Sequence, residues 1–224
     1  MQALKLIIGN KNYSSWSMRP WLLLKHFEIP FEEIRIPLFT SESMRQVNSY
    51  SPSGLVPVLV HQDLTLWDSL AICEYIAELN PHIPLWPKQQ NARAIARAVA
   101  AEMHAGFSAL RNTLTMNVRA RYQWKDVSVE VSNDIKRIEN LWQDCRTRFG
   151  KSGDWLFGDF SIADAMYAPV ATRLQTYSVP VSPLTRNYID TLYRLPAFKL
   201  WQEQAKQEKE KIDRYEYTDW IREY

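Results

Sequence analysis

Three closely spaced prolines divide this chain and constrain its fold more than any other feature of the sequence. Proline lacks the backbone N–H that the interior of a helix or a strand requires, so neither element can run through Pro81, Pro84 and Pro87. Strand-like patterns lie before these prolines, and the patterns after them have helical spacing. The chain is therefore predicted to be an α+β protein, with a mixed domain over 1–80, a linker over 81–90 and an all-helical domain over 91–224.

The beginning of the chain has the pattern of a β-α-β unit. Leu4 to Ile8 is a nearly continuous apolar run, which is typical of a central strand covered on both faces. A helix is expected from about Ser17, and it must end near Pro30 because proline disfavours helical geometry in the preceding residue. Apolar and polar residues then alternate from Ile34 to Leu38, which is the period of a strand.

A proline inside the next strand pattern leaves two alternatives open. After a polar, helix-like segment at 41–49, the run 55–60 is strand-like but contains Pro57. Either the strand edge is unpaired at Pro57, or the Val56–Pro57 bond is cis and the chain turns there. A cis bond would leave the N–H and C=O of Val56 free to pair with an extended peptide ligand.

A turn at 61–63 and a strand at 64–66 lead into a further helix, for which Asp68 or Ser69 is the expected N-cap. Capping alone explains the two residues. Alternatively, their oxygens and the first-turn N–H groups hold the carboxylate and the ammonium group of a small ligand.

A serine-rich turn joins the first strand to the first helix. The start of a helix has unpaired N–H groups and a partial positive charge, so hydroxyls placed there can help to bind an anion. Ser17 is the expected N-cap, and Pro20 is expected in the first turn, where its missing N–H costs little. No cysteine lies near Ser14 in the sequence, so a hydroxyl here could donate to the thiolate of another molecule. The alternative is an ordinary serine cap.

The remainder of the chain predicts helices. An alanine-rich run from Ala92 to Leu110 is long enough for one helix or two, and a regular pattern from Asp126 ends at Gly150. Ser161 and Asp164 have the spacing of a capping box, which favours a structural role. Further helices are expected after Pro183 and Pro196. In the C-terminal tail, four aromatic residues must cover an apolar surface or remain exposed: Tyr215, Tyr217, Trp220 and Tyr224.

Composition excludes several classes of function. A formal net charge of +2 offers no basic patch for nucleic acid or a membrane surface. Cys73 and Cys145 lie in apolar helical patterns and are expected to be buried free thiols, which suits a reducing compartment. No apolar run is long enough for a membrane span or a signal peptide, so a cytoplasmic protein is expected. His104 and Glu102 have no further metal-ligating neighbours, and no metal site is predicted.

Four separated features together resemble the cytosolic glutathione S-transferase superfamily over essentially the whole chain. They are the segment from Ser14 to Arg19, the pair Val56-Pro57, the pair Asp68-Ser69, and the segment from Gly158 to Asp164. The resemblance implies a thioredoxin-like β-α-β-α-β-β-α domain followed by an all-α helical-bundle domain. It also implies glutathione as co-substrate and a homodimer.

The resemblance also assigns roles to individual residues. Ser14, with Ser15 as the second candidate, would donate to the glutathione sulfur, Val56 before a cis Pro57 would pair with the cysteinyl part, and Asp68 with Ser69 would bind the γ-glutamyl end. The serine motif is similar to that of the zeta class, whose members include maleylacetoacetate isomerases. Two residues depart from the zeta pattern, because Trp16 replaces a cysteine and Leu55 replaces a glutamine.

The expected function is conjugation of glutathione to a small, partly apolar electrophile, with glutathione-dependent isomerisation as a further possibility. The electrophile is expected between the serine turn and the helical domain. Five residues are candidates for an apolar wall there, although each could instead belong to the core: Trp16, Phe107, Met116, Trp124 and Tyr177. Three polar candidates could meet an anionic substrate: Arg111, Asn117 and Arg119. The alternatives are a non-catalytic binding module and, disfavoured by the lack of a cysteine in the turn, thiol–disulfide exchange.

Overall fold

A four-stranded mixed sheet forms the centre of the N-terminal half. The computed structural model describes residues 4–217 and 219–221. The strands are β1 (Leu4–Ile8), β2 (Phe31–Arg35), β3 (Val58–His61) and β4 (Leu64–Leu66), in the spatial order β2-β1-β3-β4. β1 is parallel to β2 and antiparallel to β3, and β3 is antiparallel to β4. The parallel pair requires a crossover, which confirms the predicted β-α-β unit.

Three helices accompany this sheet: α1 (Ser15–His26), α2 (Ser41–Tyr50) and α3 (Ser69–Leu79). The predicted start of α1 is wrong, because Ser14 and not Ser17 is the N-cap. Pro20 is consequently the sixth residue of α1 and lies beyond the first turn. β2 also begins earlier than the alternation at 34–38 suggested, although Ile36 N–H still donates to the Ile8 carbonyl at 2.8 Å.

The second half is helical in the part of the chain that is described. Its helices are α4 (Gln90–Ala105), α5 (Ser108–Thr113), α6 (Val129–Phe149), α7 (Ile162–Thr176), α8 (Pro183–Arg194) and α9 (Pro196–Gln207). The alanine-rich run forms two helices, since α4 ends at Gly106. α6 ends at Gly150, and α8 and α9 begin at their prolines, as predicted. The thioredoxin-like and helical architecture is therefore confirmed, whereas the division at 80 and 91 stays a prediction.

Helix α7 lies at the centre of the core and fixes the position of α1. It packs against α1 and α4, and one continuous cluster of buried side chains joins the two halves of the chain. Trp21 of α1 and Tyr167 of α7 both belong to this cluster and are fully buried. The N-terminus of α1 is thereby held against the helical half, and this contact places the serine turn at the boundary between them.

A buried capping box begins α7, as the spacing of Ser161 and Asp164 predicted. The Asp164 carboxylate accepts hydrogen bonds from the Ser161 N–H at 2.9 Å and the Ser161 hydroxyl at 3.1 Å. The Leu156 N–H at 3.1 Å and the Tyr188 hydroxyl at 3.0 Å complete its partners. Burial raises the pKa of Asp164 to about 6, and these four donors act in the opposite direction.

Both cysteines are buried free thiols, as expected, and burial raises the pKa of Cys73 and of Cys145. Trp220 in the tail is also buried, with its ring centroid 4.8 Å from that of Tyr177. Tyr224 lies outside the described residues. Among the described helices, none is long and apolar enough to cross a membrane.

Candidate active site

A cavity of 610 Å³ lies between the two halves of the chain. The turn between β1 and α1 forms one side, and α2 with the loop before β3 forms a second. α5 and α7 contribute the third side, and the C-terminal segment at 214–217 contributes the fourth. Four residues predicted for the site, Ser14, Ser15, Trp16 and Val56, line this cavity from the N-terminal half.

The hydroxyl of Ser14 serves as the cap of α1. Its Oγ accepts from the Ser17 N–H at 3.3 Å and donates to the Ser17 hydroxyl at 2.7 Å. The Ser17 oxygen also accepts from the Gly9 N–H at 3.1 Å, so it ties the end of β1 to the start of α1. Ser14 therefore stabilises the turn while one side of it faces the cavity.

The neighbouring Ser15 is placed differently. It is the first residue of α1, it lines the cavity, and its hydroxyl makes no hydrogen bond with any residue from 4 to 217 or from 219 to 221. A hydroxyl at the start of a helix that is not engaged inside the protein is available to a ligand. In this structure Ser15, rather than Ser14, has the uncommitted donor.

Two guanidinium groups lie close to the ring of Trp16. The Cζ of Arg19 is 4.2 Å from the ring centroid of Trp16, and the Cζ of Arg111 is 4.9 Å from it. His104 contacts the same ring edge-on, with centroids 5.3 Å apart. Both arginines are within the range of cation–π attraction, so the indole partly compensates their charge.

The Val56–Pro57 bond is cis, the second of the two alternatives that the sequence left open. Val56 lines the cavity, and neither its N–H nor its C=O has a hydrogen-bond partner within the described chain. Pro57 is buried behind it, and β3 begins one residue later. The backbone of Val56 thus presents a free donor and a free acceptor to the cavity.

Asp68 and Ser69 lie at the start of α3, where the Asp68 side chain is half exposed and Ser69 is buried. Asp68 caps α3, accepting from the N–H groups of Leu70 at 3.0 Å and Ala71 at 3.2 Å, and its other oxygen is 2.7 Å from Nε2 of His104. Ser69 is fully buried and accepts from Arg19 at 3.3 Å. Neither residue lines the cavity, although Asp68 contacts His104, which packs edge-on against Trp16 of the cavity wall.

Five residues were the main candidates for binding the substrate, and three of them line the cavity: Trp16, Arg111 and Met116. Phe107 and Asn117 do not. Phe107 is buried in the core at the start of α5, and Asn117 is fully buried. The amide of Asn117 accepts from Asn12 at 2.9 Å and donates to the Tyr215 carbonyl at 3.1 Å, so its polar atoms are used inside the protein.

The other candidates also have structural positions. Trp124 packs on Trp220, and the hydroxyl of Tyr177 donates to the Thr115 carbonyl at 3.1 Å. Arg119 donates to the Tyr13 hydroxyl and to the Glu210 carbonyl, each at 2.9 Å. These contacts place all three residues outside the lining of the cavity.

Sequence reasoning missed two parts of the site. Arg173 lies in the buried helix α7, where a charged residue on an otherwise apolar pattern was the available signal. The C-terminal segment contributes Arg214, Tyr215 and Tyr217 to the cavity wall. The sequence left open whether the aromatic residues of this segment cover an apolar surface or remain exposed, and it did not indicate a place for them.

Hydrogen bonds tie the C-terminal segment to the serine turn. The buried carboxylate of Glu208 accepts from the N–H groups of Lys11 at 2.6 Å and Asn12 at 3.1 Å, and Tyr13 donates to Glu216 at 2.6 Å. The C-terminal segment is therefore held against the turn that carries the serines.

Comparison with known proteins agrees with this arrangement. The family model described as glutathione S-transferase, N-terminal domain, matches residues 13–79, and the model described as glutathione S-transferase, C-terminal domain, matches residues 93–202. Together the matches span most of the chain. It belongs to the glutathione S-transferase family.

Two relatives have names that point to one branch of this family. A probable maleylacetoacetate isomerase of Caenorhabditis elegans is 29% identical over 191 residues, covering 82% of this chain and 86% of the relative. The maleylacetoacetate isomerase of Rattus norvegicus is 27% identical, covering 89% of this chain and 93% of the relative. A glutathione transferase homologue from Burkholderia, solved with bound glutathione, superposes with a TM-score of 0.70 at 23% identity, covering 92% of this chain and 100% of the other, which supports the fold.

Proposed function

We propose that this protein is a serine-type glutathione transferase that stabilises the thiolate of glutathione at the start of α1 for attack on a small electrophile. The observation that carries the proposal is the Ser15 hydroxyl, which faces the cavity with no partner among the described residues. Ser14, one residue earlier, caps the same helix and keeps the turn in place. Ser15 is the direct donor in this proposal, and Ser14 is the second candidate.

The energies involved are sufficient for this chemistry. A free thiol has a pKa of about 8.5, so only a few per cent is ionised at neutral pH. A charge-assisted hydrogen bond contributes about 1.5–3 kcal/mol, and a helix N-terminus adds about 0.3–1 kcal/mol. Because one pKa unit corresponds to about 1.4 kcal/mol, the two effects lower the thiol pKa by about one to two units or more.

The rest of glutathione would extend from the serine turn along the N-terminal half. The free N–H and C=O of Val56 suit pairing with the cysteinyl backbone of an extended tripeptide. Asp68 and Ser69 would receive the γ-glutamyl end at the start of α3, next to His104. Burial of Ser69 implies that its hydroxyl acts on the ligand through Arg19 or after a small rearrangement.

The electrophile would enter from the side of the helical half, against Trp16, Met116 and Tyr217. The names of the relatives favour a second activity at the same site, glutathione-dependent cis–trans isomerisation. Both activities begin with the same thiolate. In an isomerisation it adds to the double bond and leaves again with its electron pair, so glutathione is regenerated.

The proposal is tested by the ultraviolet absorbance of the thiolate in the glutathione complex, titrated against pH. In the wild type the bound thiol should ionise at least one unit below its free value, and Ser15→Ala should remove most of this shift. A larger loss in Ser14→Ala would move the role of donor to Ser14. Glutathione bound with an unshifted thiol would contradict the enzyme and favour a non-catalytic binding module.

The proposal also includes the oligomeric state of the protein and its cellular compartment. The family resemblance implies a homodimer in the cytoplasm, with glutathione and a small electrophile as the partners and with no metal. Analytical ultracentrifugation at micromolar concentration tests the dimer, and a monomer there would contradict it without affecting the site.

A further inference from the structure

Asn12, in the turn that precedes α1, makes hydrogen bonds with the second half of the chain through both its backbone and its side chain. It is fully buried, and its N–H donates to the Glu208 carboxylate at 3.1 Å. Its carbonyl accepts from the Val118 N–H at 3.1 Å. The side-chain oxygen accepts from the Arg119 N–H at 2.9 Å, and the side-chain nitrogen donates to Asn117 at 2.9 Å. Residues far away in the sequence therefore fix the backbone and the amide of Asn12.

The carboxylate of Glu208 holds a second N–H group of the same turn. Its other oxygen accepts from the Lys11 N–H at 2.6 Å, so one side chain binds two consecutive N–H groups. Removing a carboxylate from water is costly, and these two donors together with Arg35 at 3.4 Å offset that cost. Hydrogen bonds to an ionised acceptor are about twice as strong as neutral ones. Glu208 thus anchors the turn to the C-terminal segment.

Directional bonds at this turn differ from the apolar contacts that hold the rest of α1. Apolar contacts between α1 and α7 are not directional, so they fix the depth of the helix better than the exact position of its first residues. Hydrogen bonds weaken steeply when their length or angle departs from the optimum. The bonds of Asn12 and Glu208 therefore define the position of the turn more sharply than packing does.

The turn in its place determines where the two serines lie. The Ser14 N–H donates to the Asn10 carbonyl at 2.8 Å, and the Ser15 N–H donates to the Tyr13 carbonyl at 3.1 Å. Because these bonds connect the serines to the residues on either side of 11 and 12, a shift of the turn would move both hydroxyls. A misplacement of about 1 Å at a reacting centre can lower a rate by about a hundredfold.

We propose that Glu208 and Asn12 are positioning residues for the thiolate site, because they hold the turn at 10–13 so that the Ser15 hydroxyl meets the sulfur of glutathione. This inference rests on the proposed function, since it concerns the same thiolate. Neither residue lines the cavity, and both act through the backbone of the turn. The C-terminal segment is then required for ionising glutathione, although it does not contact the sulfur.

The thiol of bound glutathione, titrated by its ultraviolet absorbance, tests the proposal in Glu208→Gln. Glutamine keeps one acceptor oxygen, but its NH2 group faces one of the two N–H donors, so at least one hydrogen bond is lost. A displaced turn should raise the thiol pKa by about half a unit or more. Removing a negative charge would by itself favour a nearby thiolate and lower this pKa, so the direction of the change separates positioning from electrostatics.

Two further variants complete the comparison. Asn12→Ala removes the side-chain bonds to Asn117 and Arg119 without changing the charge, and it should also raise the thiol pKa. Glu210→Gln is the matched control, because it makes the same change in the same segment, and the Glu210 carboxylate is bonded to Arg35 at 2.9 Å, away from the turn. The control should leave the thiol pKa within about 0.2 units of the wild type.

The pH profile distinguishes positioning from general damage to the fold. With saturating glutathione and an activated aryl chloride, sulfur bonds to the ring carbon and chloride leaves with its electron pair. Glu208→Gln should lower kcat/KM for the aryl chloride about two- to threefold at pH 7, and the loss should shrink at about pH 9.5, where the thiol is ionised in both proteins. An equal loss at both pH values would overturn the proposal.

The outcomes separate this inference from the proposed function. An unshifted thiol in the wild type would contradict the transferase and this inference together. A shifted thiol that is retained in Glu208→Gln and Asn12→Ala, or shifted further down in Glu208→Gln, would overturn the positioning role alone. If neither variant folds, amide hydrogen exchange of the wild type decides: the N–H groups of Lys11 and Asn12 must exchange slowly before glutathione is added, and fast exchange overturns the proposal.

Discussion

The serine N-caps of α7 and α1 have different surroundings. Ser161 is the N-cap of α7 and Ser14 is the N-cap of α1, and each is followed three residues later by a polar side chain, Asp164 or Ser17. Asp164 is fully buried and accepts four hydrogen bonds. We call this start of α7 a closed cap, because its carboxylate is buried and makes its hydrogen bonds with groups of the protein.

The start of α1 is an open cap, because one hydroxyl there faces the cavity and makes no hydrogen bond within the described residues. The Ser17 hydroxyl accepts from Gly9 and Ser14 and does not bond to the N–H of the Ser14 cap, which donates to the Asn10 carbonyl at 2.8 Å. Ser14 and Ser17 satisfy one another, and Ser15 is left with a free hydroxyl at the cavity. A polar group at the start of a helix is a candidate for binding a ligand when it makes no hydrogen bond within the protein.

The largest expected effect is on the closed cap. Asp164→Ala removes the acceptor of four buried donors, and each donor left unsatisfied costs about 1–3 kcal/mol. We expect the free energy of unfolding to fall by at least about 3 kcal/mol, measured by urea denaturation. Asp164→Asn is the control, because its amide oxygen retains part of the acceptor capacity and should cost less. A loss below 1 kcal/mol in Asp164→Ala would contradict the structural role of the cap.

The same carboxyl predicts a dependence of stability on pH. Burial raises the pKa of Asp164 to about 6 from its ordinary 3.8, so the folded state takes up a proton more readily than the unfolded chain. The contribution of this group is then fully present below pH 4 and is lost as the pH rises through 6, by up to about 3 kcal/mol. The measurement is the unfolding free energy of the wild type minus that of Asp164→Asn across this range. A difference that grows with pH would show that the four hydrogen-bond donors lower the pKa of Asp164 by more than burial raises it.

The sequence predicted the closed cap better than the open site, for a physical reason. A capping box and a break at proline depend on residues close together in the chain, so Ser161 with Asp164 could be identified from spacing, and Pro57 reduced the run at 55–60 to two alternatives, one of which was the cis bond. The lining of the cavity depends on contacts between distant segments. Arg173 and the C-terminal tyrosines reach it only after α7 packs on α1, and no local pattern records that contact.

The same limit explains where the structure differs from the sequence-based expectations. Phe107 and Asn117 have the residue types of a substrate wall, but packing directs one into the core and the other toward Asn12 and Tyr215. Ser17 has the residue type of an N-cap, and only the backbone geometry shows that Ser14 takes this position. Residue type indicated that hydroxyls lie at this turn and did not determine which oxygen faces the cavity without a partner among the described residues.

A smaller effect is expected for the serine that caps the open helix. Ser14→Ala removes the acceptor of the Ser17 N–H and should lower the free energy of unfolding by about 1 kcal/mol, the usual cost of losing a cap. Thermal and urea denaturation measure this loss. Ser14→Asn provides a matched variant that restores a capping oxygen, and it should recover most of the stability. If Ser14→Ala lowers the free energy of unfolding as much as Asp164→Ala does, the two caps contribute equally to stability and the difference inferred between them is wrong.

The smallest effect on stability, and the most informative, is expected for Ser15→Ala. The Ser15 hydroxyl has no partner among the described residues, and alanine is the better helix former, so the unfolding free energy should change by less than about 0.5 kcal/mol. Its proposed bond to the glutathione thiolate nevertheless predicts a loss of kcat/KM of about tenfold or more. If Ser15→Ala lowers both the unfolding free energy and kcat/KM, Ser15 supports the turn and the proposed role is wrong. If only kcat/KM falls, the Ser15 hydroxyl differs from the Asp164 carboxylate, because it can be removed without a decrease in the unfolding free energy.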